Sequence, residues 1–194
     1  MINCLLQIIS GAGFLSTREP LRFQRYSVEK EKAENLDKAS FQCMDAIEIS
    51  LFIEKEGLFF YESVGKKIKD PQVRQMFFRL AEEEREHIQT LQEKSRYLQP
   101  AIASQNRHNE HLARFISEEL KGKIFPPLTG SALQNINDDK QAIDLGIESE
   151  KKSIEMLQSL LEKEKKLDVK AIFSHLLVEE KRHLLMLKDM KMKL

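Results

Sequence analysis

Tryptophan is absent from the 194 residues, cysteine occurs only at Cys4 and Cys43, and proline only at Pro20, Pro71, Pro100, Pro126 and Pro127. Two cysteines so far apart provide neither a disulfide framework nor a CxxC motif, so a reducing compartment, the cytoplasm, is the expected location. Net charge is missing as well: 31 Lys and Arg balance 31 Asp and Glu. That balance excludes the basic stripe of a nucleic-acid-binding protein and the polybasic face of a membrane-surface protein. Long apolar runs are also lacking. The opening MINCLLQIISGAGFL has no Lys or Arg before Arg18, and Gln7 interrupts the run Cys4 to Ile9. It lacks the basic start of a secretory signal and is too short to cross a bilayer. Neither nucleic acid nor membrane is therefore expected as a partner.

What remains is a helix-rich composition, 41% hydrophobic and 32% charged, ordinary for a globular domain and too apolar for a disordered chain. Residues 1–43 carry Ser10, Gly11, Gly13, Ser16 and Pro20 as breakers without a sustained period. They read as an N-terminal extension, either poorly ordered or with one short helix near Val28 to Ala39. Residues 44–192 read as a single all-α domain. Ile47, Leu51, Glu54, Leu58, Tyr61, Gly65 and Ile68 recur at helical spacing, predicting a first helix over about 46–69. Asp70 followed by Pro71 is a cap and first-position pair that opens a second, about 71–98, with Phe77, Leu80, Glu84, His87 and Leu91 on one face. About forty residues then intervene, Gln99 to Asn137, holding one amphipathic piece near Asn109 to Leu120. Such a length suits a crossover to the other end of a bundle. Asn137 or Asp138 caps a third helix, about 138–165, and a fourth follows over about 169–190.

The chain repeats itself at an offset of 96 residues without a gap: Ala46-Ile47 matches Ala142-Ile143, Glu54 matches Glu150, Phe77 matches Phe173, Glu83-Glu84 matches Glu179-Glu180, His87 matches His183 and Leu91 matches Leu187. The expected fold is thus a four-helix bundle of two repeated hairpins joined by a long crossover. Glu84 and His87, an i, i+3 pair, share a helix face, as do Glu180 and His183. Glu54 and Glu150 sit on the apolar stripes of the partner helices. Packed together, four carboxylates and two imidazoles would converge in a low-dielectric interior, where unpaired carboxylates cost several kcal/mol each. Two divalent cations cancel the four charges with both histidines neutral. Oxygen and imidazole donors without thiolates suit iron or manganese, with zinc as a competitor. One Glu from each of two helices plus Glu-x-x-His from each of the other two is the ligand pattern of di-metal carboxylate bundles.

Through IEKEGLFFY (Ile53 to Tyr61), LAEEEREH (Leu80 to His87), IESEKKS (Ile147 to Ser153) and VEEKRH (Val178 to His183), residues 44 to 190 resemble the rubrerythrin family of ferritin-like proteins. The resemblance implies a ferritin-like bundle in which Glu54, Glu84, His87, Glu150, Glu180 and His183 hold two iron ions. It also implies reduction of hydrogen peroxide to water, and a homo-oligomer, a dimer. Rubrerythrins proper add a rubredoxin-like domain with paired CxxC motifs. This sequence shows no such motif, so electrons are expected from a separate donor protein. Many members also have a further Glu where Ser153 stands here.

Two other functions compete with this reading: a ferroxidase or iron-handling protein that oxidises ferrous ion with O2, and a helical interaction module with a relict metal site. Tyr61, two turns beyond Glu54, is expected either to hydrogen-bond a ligand carboxylate or to pack in the core. Gly57 and Ser153 leave room at the site or let helices approach. Glu56 and Glu148 are expected in solvent, and His108, His111 and His175 on the surface or in the crossover.

Overall fold

The computed structural model describes residues 41–98, 106–127 and 136–194. Most of the expected N-terminal extension, with its helix near Val28 to Ala39, lies outside them. Five helices follow in order: α1 (Cys43–Gly65), α2 (Pro71–Leu98), α3 (Asn106–Phe115), α4 (Asp139–Lys163) and α5 (Leu167–Lys193). The described residues hold no strand.

The helix ends follow from local chemistry. α1 begins at Cys43 rather than Ala46, because the Asp45 carboxylate accepts from the Gln42 amide at 2.6 Å and caps the first turn. It stops at Gly65, short of the expected residue 69. Past that point the Lys67 amide donates back to the Val64 carbonyl at 2.8 Å, and the next amides are taken by another helix. Lys69 and Asp70 donate to the Asp139 carboxylate at 2.9 and 2.7 Å. Asp70 in turn accepts from the Gln72 and Val73 amides at 2.8 and 3.0 Å, the cap that Asp70-Pro71 foretold. At α4 the cap is Asp138, which accepts from Gln141 at 2.7 Å, while Gln141 reaches back to the Asn137 amide at 3.0 Å. α4 ends at Lys163, two residues short of the expected 165. α5 spans Leu167–Lys193, longer at both ends than the expected 169–190. α3 starts at Asn106, earlier than expected, and continues as a wider π-helical turn over Ile116–Leu120. Gly122, at φ 71, then reverses the chain in the left-handed region that favours glycine.

These contacts fix the topology. Asp139, the first residue of α4, lies at the turn between α1 and α2. The start of α5 meets the start of α1, where the Cys43 thiol donates to Asp168 at 2.8 Å and the Lys166 ammonium to the Phe41 carbonyl at 3.0 Å. The crossover therefore carries the chain back along the full length of α2. α1 packs on α2, α4 on α5, and α1 also on α5, which makes a ferritin-like four-helix bundle of two hairpins.

The core is wider than a heptad stripe. On α1 the buried positions include Ala46, Ile49, Ile53, Gly57, Phe60 and Val64 together with Ile47, Glu54 and Tyr61, whereas the expected Leu51 and Leu58 are only half-buried. α1 touches the three other long helices and also the crossover, so more than one stripe is covered. The crossover is itself core: Leu112, Phe115, Leu120, Ile124 and Phe125 are buried. Phe125 lies 5.4 Å from the Phe60 ring centre and 6.2 Å from that of Tyr61.

Candidate metal centre

Midway along the bundle the interior turns polar. Glu54 comes from α1, Glu84 and His87 from α2, Glu150 from α4, Glu180 and His183 from α5. Donor atoms of Glu84, Glu150, Glu180 and His183 lie within 4.8 Å of one another, and so do those of Glu54, Glu84 and His87. All six expected residues thus fall into two groups, and Glu84 is common to both. Five of the six are buried, while the side chain of His87 keeps 18% of its surface exposed.

The two histidines are oriented alike. His183 Nδ1 faces inward, 3.3 Å from Glu84 Oε1, 3.7 Å from Glu180 Oε2 and 3.8 Å from Glu150 Oε1. It is aligned as a hydrogen bond with none of them and is left without a partner, as are Glu150 Oε2 and Glu180 Oε2. His87 Nδ1 faces Glu54 Oε2 at 3.3 Å. The imidazoles stack with ring centres 5.8 Å apart. Buried polar atoms are nearly always satisfied, and a ring nitrogen 3.3 to 3.8 Å from three carboxylates faces the space that they share. A divalent cation at each group answers that geometry, and the oxygen and imidazole donors suit one.

The outer nitrogens face carboxylates of the opposite helix, close enough for charge pairing though not aligned as hydrogen bonds. His183 of α5 turns Nε2 to Glu83 of α2 at 3.3 Å, and His87 of α2 turns Nε2 to Glu179 of α5 at 3.6 Å. Arg182 joins both carboxylates, lying 3.1 Å from Glu83 and donating to Glu179 at 2.6 Å, and Arg79 donates to Glu83 at 3.0 Å. A carboxylate behind a metal-binding histidine fixes its orientation and raises its basicity. The sequence reading missed both carboxylates. The signal was available, since Glu83 and Glu179 are related by the same offset of 96 as the ligand candidates.

The remaining contacts break the two-fold resemblance. Tyr61 donates to Glu150 Oε1, not to Glu54 on its own helix, and its repeat partner Leu157 cannot. Ser153 Oγ donates to Glu180 Oε1 at 2.7 Å. Gly57, the repeat partner of Ser153, has no side chain, and a Cβ there would lie 2.9 Å from Glu84 Oε1 and 3.2 Å from the Phe125 ring. Glu148 is in solvent as expected, but Glu56 is half-buried. His111 lies in the crossover beside the Phe41 ring.

Without a cation, the carboxylates compete for protons. Burial pushes the carboxyl groups of Glu84 and Glu150 well above the usual range, reinforced by the charges of Glu54 and Glu180 respectively. Burial also acts on Glu180, but the neighbouring His183 and Glu150 outweigh it and bring that group down. Glu83 is held at about 2, chiefly by His183, against burial. His183 is disfavoured as a cation by burial, yet Glu180, Glu83 and Glu84 raise it far above an ordinary histidine. Protons here do the work that metal cations would do.

A family model for Rubrerythrin matches residues 45–191. The chain belongs to the rubrerythrin family. Searches of curated proteins and of solved structures return no match. The rubrerythrin match covers the four long helices, apart from the first two residues of α1 and the last two of α5, and so every residue of the cluster. Among the described residues no helix is long and apolar enough to cross a membrane.

Proposed function

We propose that this rubrerythrin is a di-iron oxidoreductase that reduces hydrogen peroxide to water, H2O2 + 2 H+ + 2 e− → 2 H2O, with electrons from a separate donor protein. The observation that carries the proposal is the pair of donor groups sharing Glu84, which could hold two cations side by side. Two ferrous ions held so close would supply two electrons together to an O–O bond.

The protein's own residues have distinct tasks. Glu54, Glu84, His87, Glu150, Glu180 and His183 would hold the two ions, with His87 and His183 presenting Nδ1 inward. Glu83 and Glu179, both ion-paired to Arg182, stand behind the outer nitrogens of the two imidazoles and favour that orientation by charge. Tyr61 and Ser153 hold the carboxylates of Glu150 and Glu180 through hydroxyl hydrogen bonds. The Tyr61 proton is firmly retained, because burial and the Glu150 charge push its phenol well above the ordinary value. Phe60, Phe77 and Phe125 surround Tyr61 and exclude water from that side.

The test is to load the protein anaerobically with ferrous ion and mix it with H2O2 or with O2. Faster oxidation by H2O2, at a stoichiometry of about two iron ions per chain, is the expected outcome. If O2 is the faster oxidant and iron accumulates well beyond that, the ferroxidase reading replaces this one.

A further inference from the structure

Between α2 and α5 a cavity of about 110 Å³ reaches the centre from outside. Its inner wall is Glu54, His87 and Leu176, and Leu91 and Ile172 flank it. His175 and Lys94 also line it, and both are exposed to solvent. This is the side on which His87 keeps its exposure. His175 does not join the cluster, but the cavity it lines does reach Glu54 and His87.

The internal repeat supplies the control. Moving each wall residue by 96 positions turns Ile172, His175 and Leu176 into Met76, Arg79 and Leu80, and Leu91 and Lys94 into Leu187 and Met190. Met76, Arg79 and Met190 do line a groove of about 660 Å³ toward the opposite end of the same two helices, joined there by Met186, the counterpart of Thr90. That groove includes neither Glu150 nor His183. Leu80 and Leu187 lie fully buried, as does His183, whereas Leu91 is half-buried. Methionines fill irregular gaps well, and here they stand where the first hairpin has Thr90 and Lys94.

We infer that the cavity beside His87 is the oxidant port of the centre, that it serves one cation position directly, the one at Glu54 and His87, and that it admits hydrogen peroxide or O2 but excludes branched organic hydroperoxides. The inference rests on the peroxidase reading for its substrate, and on geometry for its place. A cavity of this size holds a few molecules as small as water or peroxide. The Lys94 ammonium disfavours passage of metal cations, so the port is suited to neutral oxidants rather than to iron traffic.

Leu91→Trp should plug the cavity and Leu91→Ala should widen it, with Ile172→Trp as a second plug should the first fail to fold. In the metal-free protein, xenon binding followed by NMR should be lost in the plugged variant, since apolar cavities take up xenon. In the ferrous-loaded protein the plug should slow oxidation by H2O2 about tenfold or more at unchanged iron content, and Leu91→Ala should accelerate oxidation by cumene hydroperoxide several-fold. Loss of xenon binding with undiminished rates for both H2O2 and O2 would overturn the port. If O2 outpaces H2O2 in the unsubstituted protein, the peroxidase reading falls instead, and the port then stands or falls on whether the plug slows O2.

Discussion

Gly57 occupies a position on α1 where a Cβ would press directly on the carboxylate shared by both donor groups. A methyl there would press on Glu84 Oε1 at 2.9 Å, the flexible end of a side chain that can swing aside when no cation is bound but has to stay in place when one is. Gly57→Ala also gains about 1 kcal/mol of helix propensity. The expected outcome is a metal-free protein whose melting temperature hardly moves and a Co(II) affinity about tenfold or more weaker by competition titration. Unchanged affinity would show that Glu84 does not hold metal in this conformation. The ligand candidates themselves were legible in the sequence because each replaces an apolar residue in a buried stripe. Glu83 and Glu179 were visible as a repeated pair but not in their role, because a glutamate beside a buried stripe looks like any solvated one until the facing helix is in place.

At the scale of elements, the four long helices could be read from periodicity, from the cap at Asp70-Pro71 and from the repeat. Their ends could not, because several are set by contacts distant in sequence, such as Asp139 taking the Lys69 and Asp70 amides. The crossover was legible as a length and illegible as a core layer: Pro126, Pro127 and Gly122 look like loop, yet Phe125 beside them is buried against Phe60 and Tyr61. Large-to-small substitutions of buried phenylalanine cost about 3–5 kcal/mol. Phe125→Ala should therefore lower stability by that order in urea unfolding, and should loosen the packing behind both Gly57 and Tyr61. A loss below about 1 kcal/mol would mean that the crossover rests on the bundle without being part of its core.

For the molecule as a whole the decisive quantity is charge. The chain as a whole is balanced, but the interior gathers Glu54, Glu84, Glu150 and Glu180 around two histidines, and neither of the two donor groups contains a lysine or arginine. Folding alone does not repay the burial of such a cluster, so the metal-free fold must be less stable than the loaded one. A cation present at a hundredfold excess over its dissociation constant adds about 2.7 kcal/mol per site. In a chain of this size each kcal/mol shifts the melting temperature by about 2–4 °C. Loading with Fe(II) or Co(II) should thus raise the melting temperature by about 5–10 °C for each ion bound, reversibly with a chelator. Glu84→Gln separates this effect from general stiffening. The amide keeps the shape and removes the charge that both groups share, so the metal-free melting temperature should hold or rise while the metal-dependent increment disappears. A variant that melts lower without metal, and still gains the full increment with it, would mean that the buried carboxylates serve the fold and that the cations bind elsewhere.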